Sequence, residues 1–337
     1  MKVRADAPLG YYHCISRVVD RRQVLREAEK EHFVALMREC EAFCEVRVLT
    51  FCLMSNHFHI LLEVPKPPET LPSPETILAK VRALSGHANA GLVEQQIRMY
   101  QQAGDEAGLQ RYVERFTRRM WDVSAFMKML KQRFSQWYNG RRGRKGTLWE
   151  ERFRSVMIEG AGQALGAVAA YIDLNPVRAR LVEDPQGYRW SGYGEAMAGK
   201  ARAVEGLRVI ARGLCHGQEM SRREGLEVYR MQLFNEGTEE REALTEEGQP
   251  VRGVLKRGAV LEVLRSKGKL PLGAYARCRV RYFCDGVALG SRGFVEEVFG
   301  LYRSRFGPRR KDGARRMRGL AGEGLFTLRD LRLRLFG

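Results

Sequence analysis

Residues 45–64 read EVRVLTFCLMSNHFHILLEV, two β-branched and aromatic runs separated by Ser55 and Asn56. Such runs on either side of a short polar break predict an antiparallel hairpin, with strands over 45–54 and 57–64. This hairpin must find further partners to be stable, and the flanking sequence offers them. Upstream, residues 11–19 (YYHCISRVV) predict a strand. Residues 28–44 predict a helix with the apolar stripe His32, Phe33, Leu36, Met37, Cys40, Phe43 and Cys44. Downstream, PKPPETLPSPE breaks the pattern, and a polar, helix-compatible stretch follows to about residue 119. Residues 66–119 therefore look like a helical insertion. A firmer helix is predicted over 122–138, where Val123, Phe126, Met127, Leu130, Phe134 and Trp137 make one face. Residues 154–158 predict a strand, and 163–174 a helix that stops before Pro176, which lacks the N–H needed to continue it. The order strand, helix, strand, strand, insertion, helix, strand, helix predicts an α+β fold, one sheet covered by helices, and excludes a parallel doubly wound arrangement.

Beyond residue 193 the character changes. Residues 194–204 (GEAMAGKARAV) suggest a small-residue linker, which divides the chain into a domain over 1–195 and a second over 205–337. In the second, Ser221 and Glu224 form a capping-box pattern opening a helix that would end by Gly237. Gly290 and Ser291 precede another helix, with Phe294, Val295, Val298, Phe299 and Tyr302 on one side. From residue 302 onward eleven basic residues face three acidic ones, a net +8. Residues 331–335 (LRLRL) alternate as a strand with one basic face would. This region reads as a basic, mainly helical extension for DNA binding or an accessory role, with a solvated solubilising face as the plainer alternative.

Charge narrows the function. The 337-residue chain carries 58 Lys and Arg against 40 Asp and Glu, a net +18, and 46 of the 58 are arginine. The guanidinium fork suits bidentate phosphate contact, so a polyanionic partner is expected. Genomic base composition could also favour arginine, and basic proteins also bind membranes or acidic proteins. The seven cysteines include no CxxC pair and read as reduced thiols of a cytoplasmic protein. No run approaches the roughly 18 apolar residues of a membrane helix, and the first residues show no secretory signal. No GxGxxG or GxxxxGK[ST] follows a predicted strand, so nucleotide-fuelled chemistry has little support.

On the second hairpin strand, His57 and His59 project from one face and Phe58 and Ile60 from the other. Two imidazoles so placed can hold two corners of a divalent ion; taken alone, such histidines are more often surface or cross-strand residues. In YIDLNPVRARLV, Tyr171 and Asn175 lie one helical turn apart, offering a nucleophilic phenol and a carbonyl oxygen as a third ligand. Their plainer reading is a buried tyrosine and a helix-ending asparagine. His13 is a conceivable base for the phenol or a structural strand histidine. Glu63, on the histidine face, is either a supporting group or a solvated carboxylate. Lys128, Lys131, Arg133, Arg141, Arg142, Arg144, Lys145 and Arg152, interleaved with Phe134, Trp137, Tyr138 and Trp149, have the composition of a track for single-stranded nucleic acid.

Taken together, HFH before an apolar strand, WEERFRS, YIDLNPVRARLV, YRWSGY and the opening YYHCISRVVDR resemble the REP-associated tyrosine transposases. These are relatives of the single-tyrosine insertion-sequence transposases among the HUH endonucleases. The resemblance spans residues 8–195 and implies a ferredoxin-like α+β domain. It also implies a divalent metal, Mg2+ or Mn2+, on His57, His59 and Asn175, and Tyr171 as nucleophile. The implied activity is cleavage and rejoining of single-stranded or hairpin DNA through a 5′-phosphotyrosine, with a homodimer as a further implication and no membrane partner. Arg180 stands where the family usually has glycine. Two other readings compete: a non-catalytic nucleic-acid binder or repressor on a degenerate transposase fold, and a zinc hydrolase using the HxH element.

Overall fold

The structure is a computed structural model that describes residues 9–234, 282–318 and 324–329. Strand β1 (Leu9–Arg17) leads to helix α1 (Glu27–Cys44), then to the hairpin β2 (Arg47–Leu53) and β3 (His57–Pro65). The insertion holds α2 (Pro74–Gln102) and α3 (Glu106–Thr117), and α4 (Val123–Arg142) and β4 (Arg154–Ile158) follow. The strands pair in the order β2-β3-β1-β4, all neighbours antiparallel. That is the ferredoxin-like arrangement implied by the family resemblance, with α1 and α4 as its two crossovers. Helix α2 bends at Gly86, whose φ of 78° lies in the left-handed region, so the insertion's first arm is two helical pieces rather than one.

Strand alternation sends Phe58, Ile60 and Leu62 into a core with Phe33, Phe51, Phe126 and Phe134, beneath α1 and α4. The opposite face, with Leu61, Val156 and Ile158, is covered by α5 (Gln163–Asp173). After α5 come α6 (Asn175–Arg178), α7 (Gly192–Met197), α8 (Ala201–Leu214) and α9 (Arg222–Phe234). Leu165, Val168 and Ile172 of α5 share this second core with Leu207 and Ile210 of α8 and Tyr229 of α9.

Residues 194–204 are helical apart from a short break, forming the end of α7 and the start of α8. The glycines flanking this segment permit close approach. A Cβ on Gly192 would lie 2.2 Å from Thr50 Oγ1, and one on Gly206 would lie 2.3 Å from the carbonyl oxygen of Leu49. Helix α8 therefore sits directly on the backbone of β2.

The C-terminal region continues the sheet. It contains α10 (Tyr282–Asp285), β5 (Ala288–Gly290), α11 (Arg292–Leu301), β6 (Arg315–Arg316) and β7 (Phe326–Thr327). Strand β5 pairs parallel to β4, with Met157 opposite Ala288 and Ile158 opposite Leu289. The full order is β2-β3-β1-β4-β5-β7-β6. Ser221 caps α9 as the sequence pattern indicates, its Oγ accepting from Glu224 N while Glu224 accepts from Ser221 N. The LRLRL stretch lies outside the described residues. Among the described residues no helix is long and apolar enough to cross a membrane.

Candidate active site

The site begins on β3. His59 pairs with Ile15 of β1 and Cys52 of β2, and His57 pairs with Arg17. Paired residues share a sheet face, so His57, His59 and, diagonally, His13 project together toward α5. The His57 and His59 rings lie 5.2 Å apart edge to face, and the His13 and His59 rings 5.1 Å apart, nearly parallel. His59 is 4% exposed and His13 is fully buried.

Hydrogen bonds fix how these rings are protonated. His13 Nδ1 is 2.7 Å from the carbonyl oxygen of Phe283, which can only accept, so this nitrogen carries the hydrogen. His13 Nε2, 2.9 Å from His59 Nδ1, is then the acceptor, and His59 donates. The lone pair of His59 is left on Nε2. The Nδ1 of His57 likewise faces an acceptor. Asn56 donates its Nδ2 to the carbonyl of Arg21, which turns its Oδ1 toward His57 Nδ1 at 2.7 Å. Burial, chiefly, lowers the pKa of His13 to about 4 and that of His59 well below the usual histidine value, with Arg178 and other nearby cations adding to the effect. Both are neutral imidazoles.

Helix α5 supplies the other half. Tyr171 faces the sheet, its ring centroid 6.0 Å from that of His59 and 6.3 Å from that of His13, each edge to face. Helix α5 ends at Asp173 with Leu174 as its cap, close to the predicted end, and a further short helix, α6, restarts with Pro176 in its first turn. The relation of Tyr171 to Asn175 survives the break, because Asn175 Nδ2 donates to the carbonyls of Tyr171 and Ile172, both at 3.2 Å. The Oδ1 of Asn175 takes no part in these bonds. Arg178 stacks over the phenol, its guanidinium carbon 4.0 Å from the ring centroid, and donates to the carbonyl of Tyr171 at 2.6 Å.

A roof from the far end of the chain closes the site. Phe283 packs edge-on against Tyr171 at 5.0 Å, and Cys284 Sγ lies 3.4 Å from the Tyr171 hydroxyl. Tyr171 is only 3% exposed as a result. Beside Cys284 opens a cleft of about 550 Å³, bordered by Arg154, Ser155, Asp285 and Arg329. The contributions of Arg178, Phe283 and Cys284 escape a sequence reading. Arg178 sits within a motif that draws attention to its neighbours, and Phe283 is 270 residues from the histidine it touches.

The basic track lies elsewhere. Lys128, Lys131, Arg133, Arg141 and Arg142 belong to α4, which covers the sheet face opposite the imidazoles, and Arg144, Lys145 and Arg152 to the loop after it. Arg133 is tied to Glu39 and the carbonyl of Leu84, and Arg142 to the buried Glu29. Lys131 donates to the carbonyl of Glu151, and burial lowers its pKa to about 8. Arg144 donates to the carbonyl of Thr147. Lys128, Arg141, Lys145 and Arg152 are exposed. Phe134, Tyr138 and Trp149 are buried in the core, while Trp137 is stacked on His32 at 3.9 Å with Arg141 over its ring. Near the imidazoles the cations are Arg17 and Arg178. Glu63 shares the histidine face but is held by Arg47 at 2.9 Å and takes a hydrogen bond from Tyr11.

The donor set fits a hard divalent cation. Histidines that ligate metals usually donate their second ring N–H to a neighbour, and both His57 and His59 do so. Bound through the Nε2 atoms of these histidines, a cation would find in the Asn175 Oδ1 an oxygen to complete an N2O set. Among the described residues no group of three or more His, Cys, Asp or Glu is arranged to hold a metal.

Comparison with known proteins places these elements in context. The family model for IS200-like transposases matches residues 7–72, the segment carrying β1, α1, β2 and β3 with His57 and His59. A solved structure described as a REP-associated tyrosine transposase bound to a REP hairpin is similar at 13% identity and a TM-score of 0.37. The match covers 59% of this chain and 85% of that one. No curated protein matches.

Proposed function

We propose that the chain is a metal-dependent endonuclease and strand transferase of the IS200-like transposase type, acting on single-stranded or hairpin DNA through a tyrosyl intermediate. The observation that carries this reading is the meeting of the Tyr171 ring with His59 at 6.0 Å, across the space between α5 and β3. The match to the IS200-like transposase model over the histidine strand supports it from an independent direction.

In this mechanism the Tyr171 phenol oxygen attacks phosphorus. A bond forms between that oxygen and phosphorus, the bond from phosphorus to the 3′ oxygen breaks, and the products are a 5′-phosphotyrosine and a free 3′-hydroxyl. The phenol proton leaves to the surroundings and the departing 3′ oxygen takes one up. Reversal by another 3′-hydroxyl reseals a strand without nucleotide hydrolysis. A divalent cation, when held by His57, His59 and Asn175, would withdraw charge from a non-bridging phosphate oxygen. Arg178, stacked on the ring, favours negative charge at the phenol and orients it. His13 does not serve as the base, since both its ring nitrogens are engaged by Phe283 and His59. Tyr171 and Cys284 must part before attack, because a phosphate cannot share the space between groups 3.4 Å apart.

A non-catalytic binder on the same fold is the competing reading, and the low exposure of Tyr171 favours it. Labelled hairpin DNA incubated with Mn2+ and run on a denaturing gel separates the two. Cleavage that disappears with EDTA, and falls by orders of magnitude in His57→Ala and His59→Ala, is expected. Intact DNA under all conditions would favour the binder.

A further inference from the structure

The fully buried His13 is a costly choice for β1. Its cross-strand partners Leu61 and Val156 are apolar, and a leucine at this position would suit the surrounding core without the desolvation that an imidazole suffers there. The imidazole instead makes two directional bonds to groups remote in sequence. Phe283 O takes the hydrogen of Nδ1, and Nε2 takes the hydrogen of His59 Nδ1. We propose that His13 is a positioning residue for metal ligation: anchored by the Phe283 carbonyl, it sets the tautomer and ring pose of His59 so that Nε2 faces the cation. The inference rests on the ligand role proposed above for His59.

The direction of the relay follows from chemistry. A carbonyl oxygen cannot donate, so Phe283 determines which His13 nitrogen is protonated, and that in turn determines His59. Were the Phe283 carbonyl absent, His13 could place its hydrogen on Nε2. His59 would then accept at Nδ1 and carry its own hydrogen on Nε2, where no cation could bind. The near-parallel rings, 26° apart, allow this bond only in a narrow range of His59 orientations. A short helix 270 residues away thus reaches the metal-facing atom through one imidazole.

The test uses the full-length protein with 15N-labelled histidine. Nitrogen shifts in the metal-free wild type should assign Nδ1–H to both His13 and His59. An Nε2–H tautomer at His59 overturns the proposal with no variant needed. Mn2+ titration then compares variants whose folding is checked by circular dichroism. His13→Phe should weaken Mn2+ binding by about 10- to 100-fold, the usual effect of removing a ligand's supporting bond, and change the His59 nitrogen shifts. His13→Gln, whose amide can donate to Phe283 and accept from His59, should restore affinity to within a few fold. Unaltered Mn2+ affinity and His59 shifts in a folded His13→Phe protein would overturn the positioning role while leaving His59 a ligand. Wild-type Mn2+ binding in His59→Ala would instead remove the ligand reading, and this proposal with it.

Discussion

Arg180 occupies the C′ position after α6 with φ of 56°. The turn is closed by Arg180 N donating to the carbonyl of Val177 and Leu181 N to that of Pro176, the double bond pattern of a Schellman cap. Glycine adopts this conformation without the Cβ clash that an arginine suffers, which explains the glycine usual at this place in the resembling family. Arg180→Gly should stabilise the protein by about 0.5–1 kcal/mol in a thermal melt, relief of the left-handed strain being partly offset by glycine's greater freedom when unfolded. Asp173 is a group whose burial is only partly offset by its partners. It is fully buried between Tyr171 and Asn175 in sequence, and it accepts hydrogen bonds from Thr50 Oγ1, the backbone of Tyr193 and the Tyr229 hydroxyl. Burial outweighs these bonds and raises its pKa from 3.8 to about 7. The folded state therefore holds the proton more tightly than the unfolded one. This contribution is complete below the unfolded value of 3.8 and is lost as pH rises through about 7. Melting temperature should fall across that window, by a loss on the order of a few kcal/mol, and Asp173→Asn should flatten the fall because the Tyr229 hydroxyl can turn to accept. A pH profile unchanged by the substitution would assign the dependence to other groups.

Elements of the first half were legible because each carries a strong local signal. The alternation in HFHILLEV placed the histidines on one face, and the strand over 154–158 and the helices α1 and α4 follow from periodicity. The four-strand order β2-β3-β1-β4 is what the family resemblance implies, since element order alone predicts only one sheet covered by helices. What was not legible depends on neighbours distant along the chain. Strands β5, β6 and β7 are two or three residues long, too short to show alternation, and β5 is a strand because it lies against β4. The roof over Tyr171 has no local signature in YFCD. The small-residue segment after Tyr193 suggests a linker, whereas it is mostly helical, and the glycines on either side of it, Gly192 and Gly206, let α7 and α8 press against β2. Gly206→Leu should make that close approach plain: its Cβ alone would fall 2.3 Å from the Leu49 carbonyl oxygen, within a backbone that cannot give way. A destabilisation of about 1–3 kcal/mol in urea unfolding is expected.

At the scale of the whole molecule, the proposed catalytic cluster and the exposed basic residues of α4 lie on opposite sides of one sheet. A strand of nucleic acid that uses both would have to pass around the end of the sheet where Arg17 pairs with His57. Affinity and cleavage should then separate. Removing the exposed charges, as in Lys128→Ala with Arg141→Ala and Lys145→Ala, should weaken hairpin binding and flatten its log–log salt slope, with cleavage at saturating protein largely kept. On single strands the slope should fall by about 0.7 for each phosphate that is no longer neutralised. An unchanged salt slope would place the DNA on another surface. Whether Tyr171 is the nucleophile is decided by mass spectrometry of protein recovered from Mn2+ and hairpin DNA under denaturing conditions. A nucleotide adduct is expected on the peptide carrying Tyr171, absent in Tyr171→Phe although that variant still binds the hairpin within a few fold. An adduct on any other residue, or one that survives in Tyr171→Phe, would contradict that role.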